Sequence, residues 1–485
     1  MANSTLLRPL GSLTLAFGAL ALGACGDDAP SPLAANGRPV VLISIDSLRA
    51  DHCTPWGYRP EFAPDEPTTP FLDELAAAGV RFAAAQAPTS WTLPSHVSLV
   101  TGMNCLEHGV RNRAFRLDDR TEHVAGRFHR AGYATGGFYS APFLHPAWGF
   151  LYGFDKYEPG PDYLLGLDSF HAVADAQPGS LRSLHNSSHE DVRCSERVVD
   201  KALAWLDTAD EDGARPKDGA FFLFLHLWDP HYDYQPPEEY ADLFLPPGTR
   251  DKTYVGFDEA REIAAADLPR VKALYDAEIR YTDDQVARLW RKLEAWGLAD
   301  DVVFAVVSDH GDEFYEHGSK GHQRTLYEEV THVPMVVRAD GAIPAGTVVA
   351  TAVATYDLVP TLIDLAGIEA WTGRSGRSLA PVWRGEETEP RQILYDLDMP
   401  RQKMWGWRRG VEKVLGRPKA IEIFDLSADA EERQPVRVQS PFEDPRSRRA
   451  YEANQPWLEA ARHVLPMTES DGMTDMLKAL GYVNK

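Results

Sequence analysis

The sequence predicts an α/β fold, a mostly parallel central sheet with helices on both faces, plus a small C-terminal antiparallel subdomain. Three observations predict it. PVVLISI (39–45), FFLFLHL (221–227) and DVVFAVVS (301–308) are continuous apolar runs that read as strands buried on both faces. Helical patterns alternate with these runs. Beyond residue 385 the pattern changes to closely spaced strand-like pieces, RQILYDL, MWGWRRGVEKVLG and AIEIFDL.

The elements follow in order. LGSLTLAFGALALGAC (10–25) is an apolar run of signal-peptide length ending in small residues and a cysteine, and it resembles a bacterial lipobox. Residues 1–24 are therefore expected to be a lipoprotein signal. Cys25 would be the lipidated anchor, and residues 25–38 a tether. This places the protein in the cell envelope, on the periplasmic side or the cell surface, held to a membrane through Cys25. The first buried strand follows. PFLDELAAAG (70–79) reads as a helix with Pro at its start and Gly at its end. Residues 122–139 pair a helix with a strand, and CSERVVDKALAWLD (194–207) is an amphipathic helix. Residues 157–190, rich in Gly, Pro, Ser, Asp and His, read as a long surface excursion and a candidate lid. Residues 269–297 form a long helix, VPMVVRA (333–339) a fourth buried strand, and YDLVPTLIDLAG (356–367) a further helix. The main domain spans 39–385 and the antiparallel subdomain 386–435; residues 436–485 read as a mobile tail with a short terminal helix, DMLKALGYV.

Composition narrows the function. With 44% hydrophobic and 25% charged residues the chain is globular. Its net charge of −23 repels phosphate backbones, so nucleic acid is excluded as a partner. Cys53, Cys105 and Cys194 follow the lipobox cysteine; two of them can pair in an exported protein, and spacing does not choose which. No CxxC pair or Cys/His cluster marks a structural zinc site.

Two buried strands end in ionisable residues, one at Asp46 and one at Asp309-His310-Gly311. Ligands of parallel α/β sheets bind outside the carboxyl ends of the strands. Two carboxylates and an imidazole there can converge on one divalent metal ion. Thr92 precedes Pro94, the expected first helical residue, and so sits at a helix N-terminus, where free N–H groups and the dipole favour an anion. A threonine hydroxyl is a poor nucleophile until a metal lowers its pKa. Together these features describe a site for attack on a sulfate or phosphate ester.

VVLISIDSLRADH (40–52), TTPFLDELAAAGVRF (68–82), TLPSHVSLVTG (92–102), WDPH (228–231), YDAEIRYTDDQVARL (275–289), VVSDHGDEFYEHG (306–318), LYEEVTHVPMVVR (326–338) and EIFDLSADAEE (422–432) resemble, in order, the motifs of the sulfatase family. That family belongs to the alkaline phosphatase-like superfamily. The resemblance implies that Asp46, Thr92, Asp309 and His310 bind the catalytic metal and that Thr92 occupies the nucleophile position. It implies that His231 and His322 contact the anionic group or protonate the leaving oxygen, a role imidazoles suit. Lys320 is the neighbouring candidate for the cationic position beside His322. His226 reads as a buried supporting group. A second ion on Asp229, His231 and His322 is poorly supported by their spacing.

The departures carry chemistry. Family sulfatases have Cys or Ser at the position of Thr92, which maturation turns into formylglycine. Thr is not a substrate for that conversion. His96 replaces the motif's arginine and inherits its place near the substrate. Ser47 stands where many members have a second Asp ligand, and GFYSA (137–141) replaces a lysine-bearing segment. The remaining set resembles the threonine-nucleophile branch, the nucleotide phosphodiesterases and phosphoglycerol transferases. The metal would be calcium if the chain is sulfatase-like, and zinc or manganese if it is phosphodiesterase-like. The expected activity is hydrolysis of sulfuric or phosphoric esters on an anionic small molecule, glycan or lipid headgroup. A non-catalytic anion- or glycan-binding lipoprotein is the reading from a different class. A serine hydrolase using Ser95 or Ser98 lacks a GxSxG elbow.

Overall fold

The computed structural model describes residues 37–160, 194–210, 213–232, 234–249, 262–400, 402–458 and 464–466. The expected signal segment, nearly all of the tether, most of the candidate lid and the terminal DMLKALGYV helix lie outside the described residues.

The central sheet takes eight strands, numbered here in chain order: β1 (Val40–Ile45), β2 (Val80–Phe82), β3 (Ala134–Tyr139), β4 (Lys156–Pro159), β5 (Phe221–Leu227), β6 (Val303–Ser308), β7 (Met335–Arg338) and β8 (Thr347–Val349). Their spatial order is β8–β2–β7–β6–β1–β5–β3–β4. All pairings are parallel except those of β7, which runs against both β6 and β2. The mostly parallel sheet predicted from the apolar runs is therefore present, with one reversed strand.

β1 is central and buried along its whole length. Alternation sends its side chains to two cores. Val41 and Ile43 pack with α1 (Pro70–Ala78), α4 (Cys194–Asp207) and α5 (Leu268–Ala295). Val40 and Leu42 belong to the opposite core with α2 (Thr92–Thr101), α3 (Val124–Arg130) and α6 (Leu358–Leu365). The 28 residues of α5 bury Val271, Tyr275, Ile279, Thr282, Val286, Leu289 and Leu293, the spacing of three and four that places one helical stripe on the sheet.

The C-terminal subdomain is an antiparallel meander of β9 (Gln392–Asp398), β10 (Lys403–Arg409), β11 (Glu412–Arg417), β12 (Ala420–Asp425) and β13 (Val436–Val438). Two of its elements fall in the stretch read from sequence as a mobile tail. β13 closes the sheet, and α7 (Pro445–Leu458) packs Ala450, Ala453 and Trp457 onto it. Of the charged residues that gave this segment its polar character, Arg449 pairs with Glu412 of β11 and Arg448 with Glu452 along α7. Cys53, Cys105 and Cys194 are buried thiols, with no disulfide among them.

Candidate active site

Register builds the site. Ile45 at the end of β1 is level with Leu227 of β5 and Ser308 of β6. The next residues of all three strands therefore emerge side by side: Asp46, then the Trp228–His231 turn, then Asp309 and His310. Ser47 follows Asp46 in the left-handed region, at φ 58°, so the chain turns sharply there. Its N–H donates to Asp309 Oδ1 at 3.2 Å and its Oγ donates to Asp46 Oδ1 at 2.9 Å. A serine where a second carboxylate was missed thus orients both carboxylates. Gly311 follows His310 because a Cβ there would strike the carbonyl of Glu329.

Thr92 is the first residue of α2, with Trp91 as its N-cap. The helix starts two residues earlier than the proline implied, so the Thr92 hydroxyl lies on its first turn. That hydroxyl is buried 3.5 Å from Asp46 Oδ2 and 3.3 Å from His310 Nε2.

The imidazoles declare their tautomers. A carbonyl oxygen only accepts, so a ring nitrogen facing one must carry the proton. His310 Nδ1 donates to Gly311 O at 3.0 Å, and His231 Nδ1 donates to Tyr232 O at 2.6 Å. His322 Nδ1 faces Asp312 Oδ1 at 2.7 Å. Burial holds all three rings neutral, each pushed down to about 4. In the neutral rings of His310 and His231 Nε2 then carries the lone pair.

The donor set fits a divalent cation. Asp46, Asp309 and His310 bring one ligand atom apiece within 4.8 Å of one another, all buried. His310 Nε2 lies 3.3 Å from Asp309 Oδ2 and 3.6 Å from Asp46 Oδ1, so two carboxylate oxygens and a ring nitrogen converge. Asp309 Oδ2 is wholly buried without a hydrogen bond. Burial and the neighbouring charge of Asp46 push the Asp309 carboxyl well above the usual range, a conflict that a cation between them removes.

The remaining predicted residues divide. His226 lies on β5 with Nε2 3.2 Å from Asp46 Oδ2, as a buried supporting group should. His96 is wholly buried. Its Nδ1 donates to Thr92 O at 2.8 Å and its Nε2 contacts Ser44 Oγ at 2.9 Å, so it braces the first turn of α2 from beneath and both its nitrogens are engaged. Burial pushes it down to about 3, and the proximity of His226 adds to this. It therefore does not inherit the substrate contact of the arginine it replaces. Lys320 sits in a two-residue strand, Lys320–Gly321, paired with Glu313–Phe314. The cationic charges felt at His322 are those of Arg324 and Arg113, neither of which stood out in the sequence. Asp229 turns away from the cluster and accepts from Ser195 N at 3.0 Å and Ser195 Oγ at 2.6 Å. Asp312 stands beside His322 instead. Its other oxygen accepts from Tyr234 Oη at 2.8 Å. The only sequence signal for Asp312 was its place three residues after Asp309.

The comparisons agree with this architecture. The sulfatase family model matches residues 38–368, and a model of the N-sulphoglucosamine sulphohydrolase C-terminal region matches 316–447. The chain belongs to the sulfatase family, whose members are ester hydrolases. Choline-sulfatase of Rhizobium meliloti (strain 1021) is 24% identical, over 84% of this chain and 83% of its own. The crystal structure of a phosphonate monoester hydrolase of Agrobacterium radiobacter superposes with a TM-score of 0.65 at 21% identity, covering 87% of this chain and 95% of that one. A structure in complex with D-glucosamine-2-N,6-O-disulfate gives 0.62 at 18% identity, covering 92% and 98%.

Proposed function

We propose that the protein is a metal-dependent hydrolase of phosphoric esters, and secondarily of sulfuric esters, with Thr92 Oγ1 as nucleophile. One observation carries this reading. The Thr92 hydroxyl lies at the first turn of a buried helix, within 3.5 Å of both Asp46 Oδ2 and His310 Nε2. Asp46, Asp309 and His310 would hold the cation. Once bound it lowers the pKa of a nearby hydroxyl and offsets the charge of the ester.

In the first step Thr92 Oγ1 bonds to phosphorus, the bridging P–O bond breaks, and the proton lost by the hydroxyl is matched by one gained on the departing oxygen. In the second, water attacks phosphorus, the bond to Thr92 Oγ1 breaks, and the hydroxyl regains its proton. The initial hydroxyl proton faces Asp46 Oδ2. Ser47 holds both carboxylates in place through both steps, and His96 fixes the turn that presents Thr92. A threonine phosphoester is cleared by this second attack. A threonine sulfate lacks the easy exit of a formylglycine hydrate, so phosphorus is favoured. The likeness to both a sulfatase and a phosphonate hydrolase supports testing the two side by side.

The test compares an aryl phosphodiester and an aryl sulfate, each with calcium, manganese or zinc, on the wild type, Thr92→Ala and Thr92→Ser. Phosphodiester turnover lost on the order of 10³-fold or more in Thr92→Ala and partly kept in Thr92→Ser is expected. Turnover unchanged in Thr92→Ala overturns the reading. Sulfate turnover that outpaces phosphodiester turnover and depends on Thr92 overturns the order of preference.

A further inference from the structure

We infer that His322 is the imidazole that protonates the leaving oxygen, and that Asp312 is the positioning residue that equips it to do so. The inference rests on the proposed ester hydrolysis and deepens it by dividing the work between His231 and His322.

The two rings differ in what stands behind them. His231 Nδ1 faces the carbonyl of Tyr232 at 2.6 Å. A carbonyl only accepts, so the neutral ring has its one proton there and a lone pair at Nε2. His322 Nδ1 faces Asp312 Oδ1 at 2.7 Å. A carboxyl group can donate as well as accept. With the proton on Asp312 Oδ1, Nδ1 accepts and the neutral ring carries its own proton on Nε2. Packing holds the pair in one arrangement. The His322 side chain is 1% exposed and that of Asp312 is wholly buried. Asp312 Oδ2 accepts from Tyr234 Oη at 2.8 Å, which leaves Oδ1 for the ring. Gln323 takes the left-handed region at φ 68°, and its N–H donates to Ser90 O at 2.9 Å. His322 is thereby tied to the segment that leads into Thr92. Its ring centroid lies 4.4 Å from that of His310, whose Nε2 is 3.3 Å from Thr92 Oγ1.

The protons balance. As the bridging P–O bond breaks, His322 Nε2 gives its proton to the departing oxygen, and the proton on Asp312 Oδ1 crosses to Nδ1. The ring stays neutral, and Asp312 becomes a carboxylate that still accepts from Tyr234. In the second step the transfer reverses. The attacking water loses a proton to Nε2, and Nδ1 returns its proton to Asp312. The Thr92 hydroxyl proton leaves and returns separately, on the side of Asp46 Oδ2. A positioned acid of this kind contributes most where the leaving oxygen is most basic.

Leaving-group dependence tests it. kcat/KM is measured on the metal-loaded protein for a series of aryl phosphodiesters that runs from dinitrophenyl to phenyl leaving groups. His322→Gln is expected to lose about 100-fold on the phenyl ester and less than about tenfold on the dinitrophenyl ester. Asp312→Asn is expected to steepen the dependence in the same direction, by about tenfold on the phenyl ester, and to cost nothing further in a His322→Gln background. Tyr234→Phe should do the same more weakly, and His231→Gln should leave the slope unchanged. A merely structural role for Asp312 would lower the whole series equally and add to the loss in His322→Gln. An unchanged slope in Asp312→Asn, or a loss that adds in full, therefore overturns the inference. So does a slope that steepens in His231→Gln and not in His322→Gln. Each of these results leaves the proposed function standing while turnover still depends on Thr92. A wild type that turns over none of the phosphodiesters overturns both. If Asp312→Asn shows no cooperative thermal unfolding, Tyr234→Phe with and without His322→Gln decides by the same criteria.

Discussion

His226 on β5 points Nε2 at Asp46 Oδ2 on the adjacent strand, 3.2 Å away, with both side chains wholly buried. The carboxylate accepts from the ring, and this fixes the face of Asp46 that remains for a cation. Groups that orient a metal-binding carboxylate typically control affinity by 10–100-fold. His226→Ala is expected to weaken cation binding by about that factor. Calorimetric titration of the stripped protein measures it, and unchanged affinity would show that Asp46 holds its rotamer without the ring.

Arg113 and Arg324 supply positive charge beside His322 in a chain of net charge −23. Arg113 stacks over Phe143 at 5.6 Å and reaches Gln323 Oε1 at 3.4 Å. Such a local cationic patch draws in an anionic ester against the field of the whole molecule. Arg113→Ala with Arg324→Ala should raise KM about tenfold, roughly 1.4 kcal/mol, with a smaller change in kcat. Added salt should raise the wild-type KM and have less effect on the variant. Steady-state kinetics at low and high ionic strength decide it.

His123 is buried between Tyr152 and Phe154, with ring centroids 5.6 and 5.9 Å away, and burial pushes it down to about 3. Between its ordinary pKa near 6.5 and about 3, the unfolded chain binds a proton that the folded chain does not. Stability therefore rises with pH across that window. The contribution is complete above about pH 6.5 and is lost as the pH falls, with a slope near 1.4 kcal/mol per pH unit per proton. His123→Phe should flatten the acid limb by one proton. Urea unfolding from pH 7 down to 4.5 reads the slope, and an unchanged slope would refute the assignment.

Lys413 on β11 is wholly buried and pairs with Glu328 Oε1 at 2.7 Å and Glu432 Oε1 at 3.0 Å. Arg408 joins Glu328 at 2.9 Å. This network ties the C-terminal meander to the segment that follows the DHG turn. Removing one member of a buried pair leaves charge without compensation and costs about 3–5 kcal/mol. Lys413→Met is expected to lower stability by that amount in chemical denaturation. A loss below about 1 kcal/mol would mean that Arg408 alone balances the carboxylates.

The convergence of Asp46, Asp309, His310 and Thr92 was legible in the sequence because it depends on local pattern: buried strands that end in an ionisable residue, and a hydroxyl before a helix. The parallel sheet was legible for the same reason. What the sequence concealed depends on long-range packing. Asp229 stood beside His231 and His322 in the sequence reading, but Ser195, 34 residues away in sequence, takes its carboxylate. His96 looked like a substrate contact until Ser44 and the backbone of Thr92 occupied both its nitrogens. The reversed direction of β7 has no signature in VPMVVRA, because an apolar run buried on both faces reads the same in either direction. The segment leading into α7 reads as mobile because it is charged and contains proline, yet a single apolar stripe suffices when a sheet is there to receive it.

The thiols of Cys53, Cys105 and Cys194 bear on how the protein can be made. Burial pushes Cys53 well above its ordinary value and Cys105 up to about 12, so these two stay protonated and poorly reactive toward oxidants. No cross-link joins any of the three. The described fold therefore draws nothing from an oxidising compartment. It should form as readily in a reducing cytoplasm as outside the cell, and a reductant in the buffer should leave its melting temperature where it was.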